Sequence, residues 1–197
     1  MKLIILDRDG TLNEDRDDFV KSPDEWRPIP GALEACARLY RAGWQLVVAT
    51  NQSGLARGLF DVATLDAMHA KMNALLAQHG GRIDAVFFCP HGPADGCDCR
   101  KPLPGLFHQI AARYQVDLRG VPVVGDSLRD LQAGATAGCE PHLVQTGKGA
   151  RLDARGLAEI VRQVPGTLVH ADLAAFADTL LSHRADPSAL ASGASVR

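Results

Sequence analysis

Two aspartates stand two positions apart near the start of the chain, directly after a short apolar run. Asp7 and Asp9 follow Leu3-Ile4-Ile5-Leu6, and Gly10 comes next. Two carboxylates this close repel each other, and each raises the pKa of its neighbour. The pair makes chemical sense if the two share a cation, or if one of them stays protonated as an acid. The alternative is an Asp-Gly turn after a strand, which is common and has no chemical role.

A second group of reactive side chains consists of cysteines and one histidine. Three of the five cysteines lie within eleven residues, and His91 lies among them. Three thiolates and one imidazole match a tetrahedral Zn²⁺ site, and a site with all four positions filled by protein is structural. We therefore predict that Cys89, His91, Cys97 and Cys99 bind zinc and stiffen residues 89–99. Such clustering does not suit a disulfide framework.

Polar residues also stand in three later segments. Thr50 opens the string Thr50-Asn51-Gln52-Ser53-Gly54, and its hydroxyl and the backbone amides after it could donate to a phosphate group. Arg100 and Lys101 directly follow the cysteine cluster, and the arginine fork suits a phosphate or another polar group. Asp126 and Asp130 are one helical turn apart, on the same face of a predicted helix. For Asp130, an exposed helical position without a function is an equal alternative.

Alternating strand-like and helix-like segments must position these residues. The predicted strands are Leu3–Asp7, Gln45–Thr50, Ala85–Cys89, Val121–Asp126, His142–Thr146 and Thr167–His170. The predicted helices are Gly31–Ala42, Val62–His79, Pro104–Tyr114, Leu128–Ala137 and Leu173–Ser182. This alternation predicts an α/β fold, a Rossmann-like three-layer sandwich around a mostly parallel sheet. In such sheets ligands bind at the carboxyl ends of the strands, which is where Asp7, Thr50, Cys89 and Asp126 would lie.

The length, composition and charge of the chain argue against several classes of protein. The chain has 197 residues, 46% of them apolar, and a formal net charge of −2, so we expect one domain over residues 1–182 and no nucleic-acid partner. No apolar run is long enough for a membrane span or a secretory signal, so we expect a cytoplasmic protein that does not bind membranes. Residues 183–197 are rich in Ala and Ser and are expected to be a disordered tail. With no sequence feature that marks an interface, a monomer is the default expectation.

Taken together, the motifs resemble the haloacid dehalogenase superfamily of phosphotransferases. The matching segments are Asp7-Arg8-Asp9-Gly10-Thr11, Thr50, Lys101 and Gly125-Asp126-Ser127-Leu128-Arg129-Asp130. The resemblance implies that Thr50 and Lys101 contact the phosphoryl group, with the Lys101 ammonium neutralising its oxygens. It also implies an α/β phosphatase fold. The spacing between the motifs leaves no room for an inserted cap domain.

The same resemblance assigns the chemical roles. Asp7 would be the nucleophile that becomes an aspartyl-phosphate, and Asp9 the general acid and base. Mg²⁺ would be held by the Asp7 carboxylate, the backbone carbonyl of Asp9 and the Asp126 carboxylate, since this ion prefers oxygen ligands. Asp130 would support the site by orienting a water or a lysine.

Longer strings narrow the resemblance to the bacterial heptose-bisphosphate phosphatases. The strings are Thr50–Gly58, Cys99-Arg100-Lys101-Pro102 and Gln145-Thr146-Gly147-Lys148-Gly149. This family implies a small sugar bisphosphate as substrate, with loss of the 7-phosphate of a heptose 1,7-bisphosphate. That reaction belongs to the synthesis of nucleotide-activated heptose for lipopolysaccharide or other surface glycans.

Without a cap domain, short loops must hold the substrate. The predicted substrate contacts are Asn51, Gln52, Ser53, Arg57, Arg100, Asp15, Arg16, Asp17 and Asp18. The segment Asp15-Arg16-Asp17-Asp18 departs from the His-Gly-Tyr-like sequence of the best-known heptose-bisphosphate phosphatases. This departure leaves the preferred anomer of the sugar open.

Two other functions remain at this stage. The histidinol-phosphate phosphatases have a nearly identical zinc loop, and their cationic substrate would suit a carboxylate such as Asp17 or Asp18. Arg57 and Arg100 instead favour a bisphosphate. A non-catalytic, zinc-stabilised binding module should have lost Asp7 or other acidic motif residues, yet all of them are present.

Overall fold

The computed structural model of the chain describes residues 1–182, and the predicted tail at 183–197 lies outside the described residues. The strands are β1 (Leu3–Leu6), β2 (Gln45–Asn51), β3 (Ala85–Cys89), β4 (Pro122–Gly125), β5 (Glu140–Val144) and β6 (Leu168–His170). The helices are α1 (Ala32–Arg41), α2 (Val62–Gln78), α3 (Gly105–Tyr114), α4 (Leu128–Thr136), α5 (Ala154–Gln163) and α6 (Leu173–Ser182), with a 3₁₀ turn at Gly149–Arg151. All strand pairs are parallel, in the order β3-β2-β1-β4-β5-β6. The predicted α/β fold with a parallel sheet is therefore confirmed.

The strand order creates a crevice beside the first strand. The chain runs from β1 outward through β2 to β3, then returns to place β4 on the other side of β1. At such a reversal, the connections leave β1 and β4 in opposite directions, and a crevice opens at the carboxyl ends of the two strands. Asp7 directly follows β1 and Asp126 directly follows β4, so the topology brings two sequence-distant acids to one place.

Successive side chains of a strand point to opposite faces of the sheet, so the hydrophobic core is divided into one layer on each face. Ile4 and Leu6 of β1 pack into the larger cluster with α1, α2 and α6, whereas Leu3 and Ile5 pack on the opposite face with α3. All four residues of β1 are buried, as expected for a parallel strand covered on both faces. Burial on both faces explains why this segment is continuously apolar, and it makes the end of β1 a rigid support for Asp7.

Each predicted strand and helix is present, with its ends shifted by at most two residues. Helix α2 is capped by Asp61, whose side chain accepts a hydrogen bond from the Thr64 backbone N–H at 2.8 Å. Gly43 directly follows the C-cap residue Ala42 of α1 and has a φ of +85°, the left-handed conformation in which a glycine commonly ends a helix. Among residues 1–182 no helix is long and apolar enough to cross a membrane.

Helix α5 is the element that sequence analysis did not predict. It covers a small third cluster, in which Ile160 and Val164 pack with Leu131 and Leu143. Of the α5 residues only Ile160 is buried, so the apolar stripe is narrow. The cap at Asp153, which accepts from the Gly156 N–H at 2.7 Å, is the sequence feature that could have identified the helix start.

We expect Ile160→Ala to lower the free energy of unfolding by about 2–5 kcal/mol, because the truncation leaves a cavity under α5. Val161→Ala, at the neighbouring and 39% exposed position, serves as the control and should change it by less than about 0.5 kcal/mol. Urea denaturation of the two variants measures both values. Equal losses would contradict the orientation of this helix.

Candidate active site

A pocket opens at the carboxyl ends of the strands, beside the crevice between β1 and β4. It is lined by the following sequence-predicted residues: Asp7, Asp9, Asp15, Arg16, Asp17, Thr50, Asn51, Gln52, Ser53, Arg57, Arg100, Lys101 and Asp130. Asp126 and Asp18 are not part of the lining. Phe19, Val20, Arg129 and Lys148, which sequence analysis did not select, also line the pocket.

Asp7 is fixed by the sheet itself. Its backbone N–H donates to the Val124 carbonyl at 2.8 Å, which joins the end of β1 to β4. Its Oδ1 atom accepts a hydrogen bond from Lys101 Nζ at 2.7 Å. Within residues 1–182, Oδ2 has no hydrogen-bond donor. The second carboxylate oxygen is therefore available for nucleophilic attack on a phosphate in the pocket.

Lys101 is buried between two carboxylates. Its Nζ lies 2.7 Å from Asp7 Oδ1 and 2.6 Å from Asp130 Oδ1, and it donates to the Ala49 carbonyl at 2.7 Å. Burial alone would lower the pKa of Lys101, but the two carboxylates raise it. The ammonium therefore stays charged, and Asp130 orients it rather than facing solvent at the surface.

Asp126 lies in very tight surroundings at the end of β4. Its Oδ2 accepts a hydrogen bond from the Lys148 backbone N–H at 2.7 Å. A Cβ atom on Gly10 would lie 2.0 Å from this oxygen, and one on Gly147 would lie 2.2 Å from it. Both glycines also have positive φ values, +86° and +51°. Only glycine fits at these two positions, because any side chain would collide with the carboxylate.

At the carboxyl ends of β1 and β4, the buried carboxylates outnumber the buried cations. One carboxylate oxygen each of Asp7, Asp126 and Asp130 lies within 4.8 Å of the others, while Lys101 supplies a single positive charge among them. Burial, and after it repulsion from Asp130, raises the pKa of Asp7 to about 6 and that of Asp126 to about 8. Buried, mutually repelling carboxylates fit a divalent cation with oxygen ligands, such as Mg²⁺.

The hydrogen bonds within this cluster show which oxygens remain for a metal. Asp130 is fully engaged, since Oδ1 pairs with Lys101 and Oδ2 accepts from the Ser127 N–H and hydroxyl at 3.1 and 2.5 Å. In the described part of the chain, Asp126 Oδ1 has no donor. Asp7 Oδ1 accepts only from Lys101, so it keeps a lone pair for a metal while Oδ2 remains free for the attack on phosphorus. The donor set thus fits a small oxygen-preferring cation between β1 and β4.

The side chain of Asp9 is held from several sides. It accepts hydrogen bonds from Arg8, from Asn13 Nδ2 at 2.9 Å and from Gln52 Nε2 at 2.8 Å. Burial alone would raise the pKa of Asp9, but the charge of Arg8 and these hydrogen bonds lower it. The carboxylate is 21% exposed and lines the pocket, so it can still reach a group bound there.

The structure changes the interpretation of Asn51 and Gln52. The Asn51 amide donates to the Lys101 carbonyl and accepts from the Lys101 N–H, both at 3.0 Å. Gln52 donates to Asp9 and to Thr50 Oγ1 and accepts from Arg8. Both amides therefore support other site residues while they also line the pocket, and their contact with the substrate stays a prediction. Thr50 accepts from Gln52, which leaves its own hydroxyl proton for a ligand.

The loop over the pocket is a network of ion pairs. Asp15 pairs with Lys148, and Asp17 pairs with Arg151 at 3.1 Å. Asp18 pairs with Arg16 at 3.0 Å and with Lys21 at 2.7 Å. Asp18 is thus paired within its own loop and is not part of the pocket lining, and its contact with the substrate stays a prediction.

Several pocket cations have no carboxylate partner among residues 1–182. The Arg57 guanidinium lies 5.5 Å from the centre of the Phe19 ring, and Arg100 donates to the His91 carbonyl at 3.0 Å. Arg129, which sequence analysis missed, makes no ion pair either but lines the same pocket. Its position inside the acidic motif, directly before Asp130, is the feature that could have identified it.

The cysteine cluster lies beside the pocket, just before Arg100. Ligand atoms of Cys89, His91, Cys97 and Cys99 all lie within 4.8 Å of one another. The Cys89 sulfur is 3.7 Å from that of Cys97 and 3.2 Å from that of Cys99, and His91 Nδ1 is 3.4 Å from the Cys99 sulfur. A tetrahedral zinc with bonds to sulfur of about 2.3 Å needs sulfur separations of about 3.8 Å. The four side chains therefore fit a tetrahedral metal with little movement.

Comparisons with known proteins place this site in a family. Residues 98–176 match the model of the HAD-hydrolase-like family. The chain is 65% identical over 92% of its length to D-glycero-beta-D-manno-heptose-1,7-bisphosphate 7-phosphatase of Bordetella bronchiseptica, covering 98% of that protein. The chain belongs to this phosphatase family. A relative of the same name from Pseudomonas aeruginosa is 54% identical, over 91% of this chain and 97% of that one.

Solved structures agree with this family assignment. The crystal structure of D,D-heptose 1,7-bisphosphate phosphatase from B. bronchiseptica, complexed with magnesium and phosphate, superposes with a TM-score of 0.87. It is 64% identical and covers 93% of this chain, and this chain covers 99% of it. The relative binds the same two species, a divalent cation and a phosphate, that the acidic cluster and the cationic pocket here favour. Both the resemblance to the heptose-bisphosphate phosphatases and the HAD-like fold predicted from sequence are confirmed.

We expect Mg²⁺ to bind more tightly to the metal-free protein as the pH rises. The raised pKa values, about 6 for Asp7 and about 8 for Asp126, mean that protons occupy these oxygens below those values and must leave when the metal binds. Affinity should rise by up to about tenfold per pH unit for each group that releases a proton. It should level off once both are ionised.

Isothermal titration calorimetry in buffers of different ionisation enthalpy measures both the affinity and the protons released. Asp126→Asn is the matched variant, because it should bind Mg²⁺ more weakly and lose the pH dependence between about pH 6 and about pH 8, where only Asp126 still releases a proton. An affinity that does not change between about pH 6 and about pH 8 would contradict the raised pKa values.

Proposed function

We propose that this protein removes the 7-phosphate from D-glycero-β-D-manno-heptose 1,7-bisphosphate, with Mg²⁺, through an aspartyl-phosphate intermediate. The product would supply nucleotide-activated heptose for lipopolysaccharide or other surface glycans. Membership of the phosphatase family along nearly the whole chain carries this proposal. The site supports it, since Asp7 lines a cation-rich pocket and one of its oxygens has no donor within the part of the chain that the structure describes.

Asp7 is the proposed nucleophile. Its unpaired oxygen forms a bond to the phosphorus of the 7-phosphate, while the bond between phosphorus and the C7 oxygen breaks. Lys101 holds the other oxygen of Asp7 at 2.7 Å, so the carboxylate cannot rotate away from the attack direction. A carboxylate nucleophile divides one difficult displacement into two easier ones.

Asp9 is the proposed proton carrier. It gives a proton to the departing C7 oxygen in the first step, and in the second step it removes a proton from the water that attacks the aspartyl-phosphate. Its hydrogen bonds favour the ionised form, which is the form that the second step needs. The first step needs the protonated form, which the approach of an anionic phosphate favours because like charges raise a carboxyl pKa.

The negative charge of the transferred phosphoryl group is stabilised by hydrogen-bond donors that the fold already holds in place. Lys101 supplies a buried positive charge, and the free hydroxyl proton of Thr50 supplies a hydrogen bond. Such preorganised donors stabilise a transition state without having to reorient. We propose that Asp7, Asp126 and the backbone carbonyl of Asp9 hold Mg²⁺, which when bound neutralises phosphoryl oxygens and holds the phosphate in place.

The charge distribution of the pocket favours a bisphosphate over histidinol phosphate. A histidinol ammonium needs an unpaired carboxylate beyond the catalytic cluster, but Asp15 and Asp17 are paired with Lys148 and Arg151. In contrast, the arginines at positions 57, 100 and 129 line the pocket and have no carboxylate partner among the described residues, 1–182. We propose that these guanidinium groups receive the second phosphate, since arginine binds phosphate with two parallel hydrogen bonds.

Phosphate release from a panel of substrates with Mg²⁺ present tests this function. The panel contains both anomers of heptose 1,7-bisphosphate, fructose 1,6-bisphosphate and histidinol phosphate. We expect kcat/KM to be at least about a hundredfold higher for the β-anomer of the heptose, which is about 2.7 kcal/mol of discrimination. Phosphorus NMR of the product should show that the 1-phosphate remains.

The Asp7→Asn variant is the control for the nucleophile. It should fold like the parent protein and show no turnover on any member of the panel. Turnover by this variant would refute the role of Asp7, and a preference of the parent protein for histidinol phosphate would overturn the proposed substrate.

We also propose that Zn²⁺ binds the cysteine cluster and has a structural role. The four ligands Cys89, His91, Cys97 and Cys99 would complete a tetrahedral shell and leave no position for substrate. His91 is linked to the pocket through its carbonyl, which accepts from Arg100. The metal would thereby stiffen the segment that presents Arg100 and Lys101.

We expect Cys97→Ser to lower zinc content and thermal stability more than it lowers kcat. Cys139→Ser makes the same change at a buried cysteine outside the cluster and should leave the zinc content unchanged. Metal analysis by mass spectrometry and thermal unfolding measure the two effects. An unchanged zinc content in the Cys97 variant would refute this set of ligands.

A further inference from the structure

Arg8 is a charged side chain with no access to solvent. It lies between the two motif aspartates, the residue is 0% exposed, and it is not part of the pocket lining. A buried charge is costly unless it is paired and hydrogen-bonded. Since a phosphate in the pocket cannot reach this guanidinium, its partners must be found within the protein.

The main partner of Arg8 is the carboxylate of Asp9. Nε and Nη2 lie 3.2 and 3.0 Å from Asp9 Oδ1, and Nη2 lies 3.1 Å from Oδ2. Asn13 donates to Oδ1 and Gln52 donates to Oδ2. The planar fork of an arginine sets the plane of a carboxylate as well as its position. The direction in which Asp9 presents its oxygens to the pocket is thus determined by Arg8 and two amides.

His69 of α2 supports Arg8 from the other side. Arg8 Nη1 lies 3.3 Å from His69 Nε2. Because a guanidinium group can only donate, Nε2 must accept with its lone pair, so His69 is neutral with its proton on Nδ1. Burial, and after it the charge of Arg8, lowers the pKa of His69 to about 4, in agreement with a neutral ring. Gln52 completes the support, with Oε1 accepting from Arg8 Nη2 at 3.1 Å.

We propose that Arg8 is a positioning residue, held in place by His69, that orients the Asp9 carboxyl group for both of its proton transfers. Neither residue touches the substrate. The inference rests on the proposed function in one respect, the role of Asp9 as proton carrier. It assigns a role to His69, a helical residue that sequence analysis did not select.

A loss of this orientation should affect only the steps in which Asp9 moves a proton. A sugar alkoxide leaves with difficulty unless it is protonated, whereas p-nitrophenolate is stable and leaves without a proton. Breakdown of the aspartyl-phosphate needs a base with either substrate. A misplaced Asp9 should therefore slow the whole reaction of an alkyl phosphate, but with p-nitrophenyl phosphate it should slow only the second step.

The test compares the parent protein with Arg8→Met and Arg8→Lys. With heptose 1,7-bisphosphate, kcat of Arg8→Met should fall by about a hundredfold, within the range of general acid–base catalysis, and KM should change little. With p-nitrophenyl phosphate, stopped-flow absorbance should show a burst of one p-nitrophenolate per site at nearly the parent rate, followed by slow turnover. Arg8→Lys keeps the charge without the fork, so it should remain close to Arg8→Met.

A second pair of variants changes His69, which lies farther from the acidic cluster. These variants test the proposal even if Arg8→Met fails to fold. His69→Leu removes the acceptor and should lower kcat on the sugar substrate by about tenfold, as is usual for groups that orient a catalytic residue. His69→Gln can accept with its side-chain oxygen and should recover most of that loss. Thermal unfolding of all four variants shows whether each is folded under the assay conditions.

Equal losses on both substrates with no burst would overturn the proposal, and so would parent-like kcat on the sugar phosphate in Arg8→Met. Failure of His69→Gln to improve on His69→Leu would remove His69 from the proposal. The parent protein tests the proposed function separately. If it does not hydrolyse the heptose bisphosphate, any alkyl phosphate that it does hydrolyse serves for the same comparison with p-nitrophenyl phosphate.

Discussion

The burial of three carboxylates around a single ammonium group is the constraint on which the rest of this site depends. Lys101 can neutralise only part of the charge of Asp7, Asp126 and Asp130, and without a further cation the pKa values of Asp7 and Asp126 rise. The crevice between β1 and β4 therefore favours a divalent metal and an oxygen ligand such as phosphate. The same crowding admits only glycine beside the Asp126 carboxylate, at Gly10.

Polar side chains near the reacting groups are mostly engaged with one another. Asn51 holds the backbone of Lys101 on both sides, and Gln52 joins Thr50, Asp9 and Arg8. These contacts fix the donors and acceptors before any substrate arrives, which is how an enzyme avoids reorganising its dipoles during the reaction. Substrate recognition is left to the less constrained cations of the surrounding loops.

Two parts of the fold therefore hold the residues that surround the phosphate site. The sheet fixes the acids, because Asp7 continues the pairing of β1 with β4. The loop that carries the cysteine cluster fixes the cations, because Arg100 is hydrogen-bonded to His91 inside that cluster. Lys101 connects the two, since it belongs to the loop and binds the acids through its side chain. A small domain without an inserted cap can hold its substrate in this way with short segments.

The sequence by itself determined the parallel α/β fold, the acidic pair Asp7 and Asp9 at a strand end, and the proposed zinc ligands, because these follow from local periodicity and from spacings of a few residues. It did not reveal α5, whose buried stripe is narrow, or the ion pairs that engage Asp18 and its neighbours. Only the tertiary structure decided that Asn51 supports Lys101 and that His69 meets Arg8. Those contacts join residues about 50 to 60 positions apart, and no local pattern encodes a hydrogen bond between side chains that only folding brings together.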